Sequence, residues 1–71
     1  MERVIAQCAE RIIAVLGKEG AVNVLLISER VGERSMVTYQ ALGWLARDGR
    51  IAYEARGNQV YVSLPGLPPG A

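Results

Sequence analysis

The chain has 71 residues, which supports one small domain because compact domains rarely fall below about 50 residues. An apolar fraction of 51 % suffices for a thin core, and a formal charge of +1 argues against nucleic-acid binding driven by bulk positive charge. The single cysteine excludes an internal disulfide, and the lack of histidine argues against a zinc site.

Neither a membrane segment nor a targeting segment is evident. The longest uninterrupted apolar run, Ile12 to Leu16, is far shorter than the roughly 20 residues that span a bilayer. The first residues show no signal-peptide pattern, and the first helix lacks the Lys/Arg-rich band typical of a membrane-surface helix. We therefore expect a cytoplasmic protein in a reducing compartment, without membrane contact.

Helical spacing predicts a first helix from Glu2 to between Leu16 and Glu19, followed by Gly20. Its inward face carries five residues: Ile5, Cys8, Ala9, Ile12 and Leu16. Cys8 on this apolar face is interpreted as a small core residue, because no histidine is present to activate it as a nucleophile.

The next segment is predicted to pair briefly at a sheet edge and then form a second helix. Residues 21–23 are too short for an independent strand, although β-branched Val22 suits an edge, and Asn23 is the expected N-cap. The helix is expected to run to about Val31 and stop at Gly32. Its predicted inward face comprises Val24, Ile27, Ser28 and Val31.

A three-residue turn then leads to a third helix, with Ser35 as N-cap, reaching about Asp48. Its predicted inward face comprises Thr38, Ala41, Leu42 and Leu45. Glycine costs about 1 kcal/mol in a helix interior, so Gly43 suggests that another backbone or a bulky ring approaches there.

After Gly49 the apolar period becomes alternating, which predicts a hairpin over 51–64. Ile51, Tyr53 and Ala55 share one side of the first strand, and Val60, Val62 and Leu64 share one side of the second. The segment Arg56-Gly57-Asn58 is the predicted turn. Residues 65–71 contain three prolines and two glycines, which indicates an unstructured or extended tail after a domain of residues 1–64.

The order helix, short strand, helix, tight turn, helix, hairpin is that of an α+β winged helix-turn-helix. The segment from Tyr39 to Ile51, above all Leu42-Gly43-Trp44-Leu45-Ala46-Arg47, together with Val60-Tyr61-Val62, resembles a small stand-alone prokaryotic winged helix-turn-helix family catalogued as a domain of unknown function. The resemblance implies the same fold and a homodimer. It implies no established activity.

No recognisable enzyme site or cofactor motif is present. The seven carboxylates are scattered, and the glycines act as helix stops without forming a phosphate-binding loop or dinucleotide fingerprint. We therefore expect a non-enzymatic module that uses no cofactor and no metal.

The first functional hypothesis is binding of double-stranded DNA, as a transcriptional regulator or accessory module, with helix 35–48 as recognition helix and hairpin 51–64 as wing. Met36, Gln40, Gly43 and Arg47 fall on its outward face, where Gln40 suits adenine and Arg47 suits guanine. The complete predicted DNA-binding set is Arg34, Ser35, Tyr39, Gln40, Arg47 and Arg56. For Arg56, a merely solvated arginine in a hairpin is the alternative.

The second hypothesis is a protein-interaction or homodimerisation module that does not bind nucleic acid. Leu25 and Leu26 point away from the predicted core and, with Met36, Val37 and the wide apolar stripe of the first helix, would form an apolar patch. The alternative is a shifted helix start that buries one of the two leucines. Trp44 fits two interpretations, a ring covering the rim of the core or an anchor for a partner. The predicted partner interface is Leu25, Leu26, Met36 and Trp44.

Overall fold

The computed structural model describes residues 1–66, which form three helices and a three-stranded antiparallel sheet. In chain order the elements are α1 (Glu2–Glu19), β1 (Val22–Asn23), a 3₁₀ helix (Val24–Leu26), α2 (Ile27–Val31), α3 (Ser35–Arg47), β2 (Ala52–Arg56) and β3 (Gln59–Ser63). The predicted order of elements is confirmed. Of the predicted tail, Pro65 and Gly66 form a turn, and residues 67–71 lie outside the described residues.

The core lies between α1, α3 and the inner face of the sheet. The five residues predicted for the inward face of α1 are all buried, as are the four predicted for α3. Thr38 is fully buried without an unsatisfied hydroxyl, because its Oγ1 donates to the Arg34 carbonyl at 2.9 Å and lies 3.9 Å from Cys8 Sγ. Val37 is only 1 % exposed, so its predicted place in an exposed patch is wrong.

The second helical segment is split into a 3₁₀ helix and the short α2. Asn23 caps it as predicted, its Oδ1 accepting a hydrogen bond from the Leu25 amide at 2.9 Å. A 3₁₀ helix has about three residues per turn, so the positions that share its inward face are spaced differently from those of the predicted α-helix. Leu25 and Leu26 remain 68 % and 40 % exposed, as expected from their outward positions.

The turn between α2 and α3 begins at Gly32, whose φ of 70° ends α2 in a left-handed conformation, as predicted. The prediction of Ser35 as N-cap of α3 is wrong. Arg34 occupies the cap position with an extended backbone and no side-chain capping bond, and Ser35 is already the first helical residue. The Ser35 hydroxyl instead lies 3.5 Å from that of Ser28.

The sheet has the order β1-β3-β2, with Val62 of the central strand fully buried. The brief edge pairing predicted for Val22 is confirmed by its register with Val62. A two-residue loop joins β2 to β3, and the positive φ of 61° at Gly57 alone is typical of a type II′ turn. Arg56, predicted as part of this turn, is the last residue of β2.

The predicted apolar sides of the hairpin are only partly buried. Ile51 is buried just before β2 begins, and half-buried Leu64 packs against the core just after β3 ends. On the strands between them, Tyr53 is 50 % exposed and Val60 is 40 % exposed. The end of the hairpin near the turn therefore lies largely outside the core.

Candidate nucleic-acid interface

The exposed face of α3 carries the residues that helical spacing places there: Met36, Gln40, Gly43 and Arg47. They lie on the opposite side of the helix from the buried residues that hold α3 in the core. Arg47 forms no ion pair within residues 1–66, whereas Arg30, Arg34, Arg50 and Arg56 each lie within 4.0 Å of a carboxylate. The guanidinium of Arg47 is thus available to an external ligand.

The N-terminal end of α3 is electrostatically compensated by Glu33. Its Oε1 accepts a hydrogen bond from the Arg34 amide at 2.8 Å and lies 3.7 Å from Arg34 Nε. A carboxylate beside a helix N-terminus offsets the positive end of the helix dipole. Arg34 and Ser35 are both exposed here, but Glu33 lowers the attraction of this end for a phosphate.

Tyr39 and Trp44 lie on the flanks of α3 and are 47 % and 44 % exposed. Trp44, Arg47 and Asp48 line an open depression at the C-terminal end of the helix. Half-exposure of the Trp44 ring is compatible with both interpretations made from the sequence. The close approach expected at Gly43 is not made within residues 1–66: apart from its chain neighbours and the backbone of its own helix, a Cβ built there meets no atom within 4 Å.

Arg56 is held over the outer face of the hairpin. Its Nη2 donates to Glu54 Oε1 at 3.1 Å, and its Cζ lies 4.5 Å from the centroid of the Tyr61 ring. Neither Glu54 nor Tyr61 is among the predicted site residues. The sequence feature that could have identified them is the two-residue Gly57-Asn58 loop. Loop length fixes the register of a hairpin, and this register places Glu54 opposite Tyr61.

The four residues predicted for a partner interface are all exposed, but they come from separate places in the fold. Leu25 and Leu26 belong to the 3₁₀ helix, while Met36 and Trp44 lie eight residues apart on α3. At 1.5 Å per residue, the latter two are separated by about 12 Å along the helix. With Val37 buried, the apolar surface is more divided than the sequence suggested.

Cys8 is buried, and this burial raises the pKa of its thiol. Within residues 1–66, no three metal-ligating side chains come together in a way that could hold an ion. In the same part of the chain, none of the helices is long and apolar enough to cross a membrane.

Comparison with known proteins identifies the fold. No family model matches the chain and no curated protein does, so the resemblance to an uncharacterised prokaryotic family stays a prediction. Among solved structures, protein BT2368 from Bacteroides thetaiotaomicron is 19% identical with a TM-score of 0.80, covering 93% of this chain and 82% of that one. The Zα domain of PKZ from Carassius auratus, solved in complex with Z-DNA, is 22% identical with a TM-score of 0.71, covering 84% and 95%.

A third similar structure is HlyU from Vibrio cholerae, in its reduced form, at 22% identity and a TM-score of 0.62, covering 89% of this chain and 70% of that chain. The fold is a winged helix-turn-helix. At these identities the likeness establishes the architecture, and function has to be argued from the residues of this chain.

Proposed function

We propose that this chain binds double-stranded DNA, with α3 as recognition helix and the β2–β3 hairpin as wing. The observation that carries the proposal is the exposed Arg47, which has no carboxylate partner within residues 1–66 and lies about two turns from Gln40 on the same helix face. Support from architecture comes from the Zα domain, a similarly folded domain solved with Z-DNA.

The residues of α3 and its flanks have separate roles in this proposal. Arg47 reads guanine and Gln40 reads adenine, because each side chain matches the hydrogen-bonding edge of that base in the major groove. Tyr39, Ser35 and Arg34 contact backbone phosphates, which position the protein without reading sequence. On the hairpin, Arg56 contacts the backbone beside the groove that α3 enters.

Binding is expected to be weak and sensitive to salt. Four of the five basic residues between Arg30 and Gly57 lie within 4.0 Å of a carboxylate, which reduces the net positive charge that the interface presents to DNA. The number of phosphates neutralised sets the dependence of affinity on salt. Weak, salt-sensitive binding of this kind fits a cytoplasmic regulator or accessory protein that recognises a short DNA sequence. A second copy of the chain would supply additional DNA contacts.

An amide-resolved NMR titration with a pooled random-sequence duplex, at low and then moderate salt, tests the proposal. We expect shifts confined to residues 35–47 and the hairpin around 56–58, decreasing as salt rises. A mononucleotide mixture at equal phosphate concentration is the control for non-specific ion binding. A spectrum unchanged by duplex at low salt would overturn the proposal.

A protein-interaction module is the second candidate, and the exposure of Leu25 favours it. A leucine that is 68 % exposed beside Leu26 at 40 % exposure leaves apolar surface uncovered. If a second copy covers it, Leu25→Glu should reduce the mass measured by light scattering from dimer to monomer without loss of helical signal. Gln7→Glu makes the same change in charge at an exposed position of α1 and should leave the dimer intact. A monomeric wild type would overturn the homodimer.

A further inference from the structure

The outer face of the hairpin carries an ordered cluster of Glu54, Arg56 and Tyr61, referred to here as the wing cluster. Glu54 and Arg56 are two residues apart on β2 and therefore point to the same side of the sheet. Tyr61 on β3 is the register partner of Glu54, which places all three side chains on one face. The distances of 3.1 Å from Arg56 to Glu54 and 4.5 Å to the Tyr61 ring show that they are in contact.

The Tyr61 ring and the Glu54 carboxylate constrain the guanidinium while occupying only one of its donors. A guanidinium has five N–H donors in one plane, and the hydrogen bond to Glu54 uses one of them. Arg56 Cζ lies over the π-face of the Tyr61 ring, a contact that uses none of the N–H donors and leaves the other four without a hydrogen bond within residues 1–66. The edge of Arg56 can therefore still form the paired hydrogen bonds that match a phosphate.

A fixed side chain binds a ligand with a smaller loss of conformational entropy than a freely rotating one. Arg47 on α3 has neither a carboxylate partner nor an aromatic ring against its guanidinium within residues 1–66, so no contact of either kind holds it in one orientation. Arg56 is already oriented in the free protein. A pre-oriented guanidinium suits a group that is the same at every nucleotide, such as the backbone phosphate. It suits the edge of a base less well, because that edge changes with the sequence.

We propose that the wing cluster is an anchoring site for one backbone phosphate of DNA, in which Tyr61 is the positioning residue for Arg56. The inference rests on the proposed function. Tyr61 acts by holding the guanidinium plane with its ring, so its hydroxyl is dispensable. The phosphate binds the outward edge of Arg56, and the positive guanidinium displaces a cation condensed on the DNA.

The test measures DNA affinity across a series of NaCl concentrations for the full chain, using a mixed-sequence duplex. Arg56→Gln and Tyr61→Leu should each weaken binding several-fold and reduce the slope of log K against log salt by about one, the loss of one phosphate contact. Tyr61→Phe, which keeps the ring, should retain wild-type affinity and slope. In the Arg56→Gln background, Tyr61→Leu should cause no further loss.

Two additional readouts separate positioning from folding. In the free protein, the side-chain protons of Arg56 should show an upfield ring-current shift that Tyr61→Phe keeps and Tyr61→Leu removes, while the amide spectrum of the helices is unchanged. Arg56→Lys, which leaves Tyr61 untouched, should keep the salt slope but lose affinity, because an ammonium lacks the planar fork.

The outcomes that overturn the inference differ from those that overturn the proposed function. Wild-type binding with an unchanged slope in Tyr61→Leu, or additive losses in the double variant, would overturn the role of Tyr61 and leave DNA binding standing. Equal affinity of Arg56→Lys and wild type would also overturn it. No binding by the wild type at low salt would overturn the proposed function and the inference together.

Discussion

The two elements of the candidate interface, α3 and the β2–β3 hairpin, are held in the molecule by different means. Helix α3 buries five of its residues in the core, whereas within the two hairpin strands only Val62 is buried. The hairpin therefore depends more on strand pairing, its tight turn and surface contacts such as the wing cluster. Substitutions in the hairpin should accordingly alter binding at little cost in stability, while those on the inner face of α3 should unfold the domain.

The largest expected effect is a difference in stability between two truncations. Leu42→Ala should lower the free energy of unfolding by about 2–5 kcal/mol, because it leaves a cavity beside a side chain that is 2 % exposed. Val60→Ala, at a position 40 % exposed near the hairpin turn, should cost less than about 1 kcal/mol. Urea titrations measure the free energy of unfolding of both variants. Equal losses of stability would contradict the contrast between the core face of α3 and the hairpin.

The next effect concerns the unpaired arginine of α3. Arg47→Ala should weaken DNA binding by about 1–3 kcal/mol and reduce the preference among duplex sequences, because a base-reading contact is lost. Arg3→Ala, which removes the same charge from an exposed position of α1, is the matched control. Its effect on DNA affinity should be much smaller and independent of the duplex sequence. An equal loss in both variants would indicate that Arg47 contributes only general charge.

Periodicity alone predicted the side chains that hold α3 and α1 together, because the face of a helix is set by its repeat. It failed where local geometry decides: Ser35 lies inside the helix because Arg34 adopts the cap conformation, and Val37 is buried at the side of the predicted stripe. Arg56 could be named from the sequence, but its ring partner required the register of two strands, which depends on the position of one turn.

Alkaline titration should separate the two regions in a different way. Burial raises the pKa of Cys8, which packs against α3, above its ordinary value of 9.0, and burial also raises the pKa of Tyr53 in the hairpin above 10.0. The unfolded chain loses each proton first, so stability present below these ordinary values falls as pH rises toward the raised ones. For Cys8 the decline is at most about 1.4 kcal/mol per pH unit, and for Tyr53, which is 50 % exposed, solvent screening makes it much smaller.

The Cys8→Ala variant should therefore be less stable at neutral pH but lack the decline that begins near pH 9.0, while Tyr53→Phe should lack only the decline beginning near pH 10.0. Urea unfolding at a series of alkaline pH values measures the slopes. A decline near pH 9.0 that persists in Cys8→Ala would show that another group is responsible.

The smallest effect comes from Gly43, where stability and binding should change in opposite senses. Gly43→Ala should raise the free energy of unfolding by about 1 kcal/mol, because a helical glycine is replaced at a position where a Cβ meets nothing within 4 Å. If α3 enters the major groove, the added methyl lies between Gln40 and Arg47 on the docking face and should weaken DNA binding.

Gly17→Ala on α1 is the matched control for Gly43→Ala, because its added Cβ would lie 3.9 Å from Leu64 Cδ1, an ordinary contact. It should stabilise the fold to a similar extent and leave DNA affinity unchanged. Thermal unfolding and a binding isotherm for each variant separate the two effects. A Gly43→Ala protein that is more stable and binds DNA as tightly as Gly17→Ala would mean that the exposed face of α3 does not approach the duplex closely.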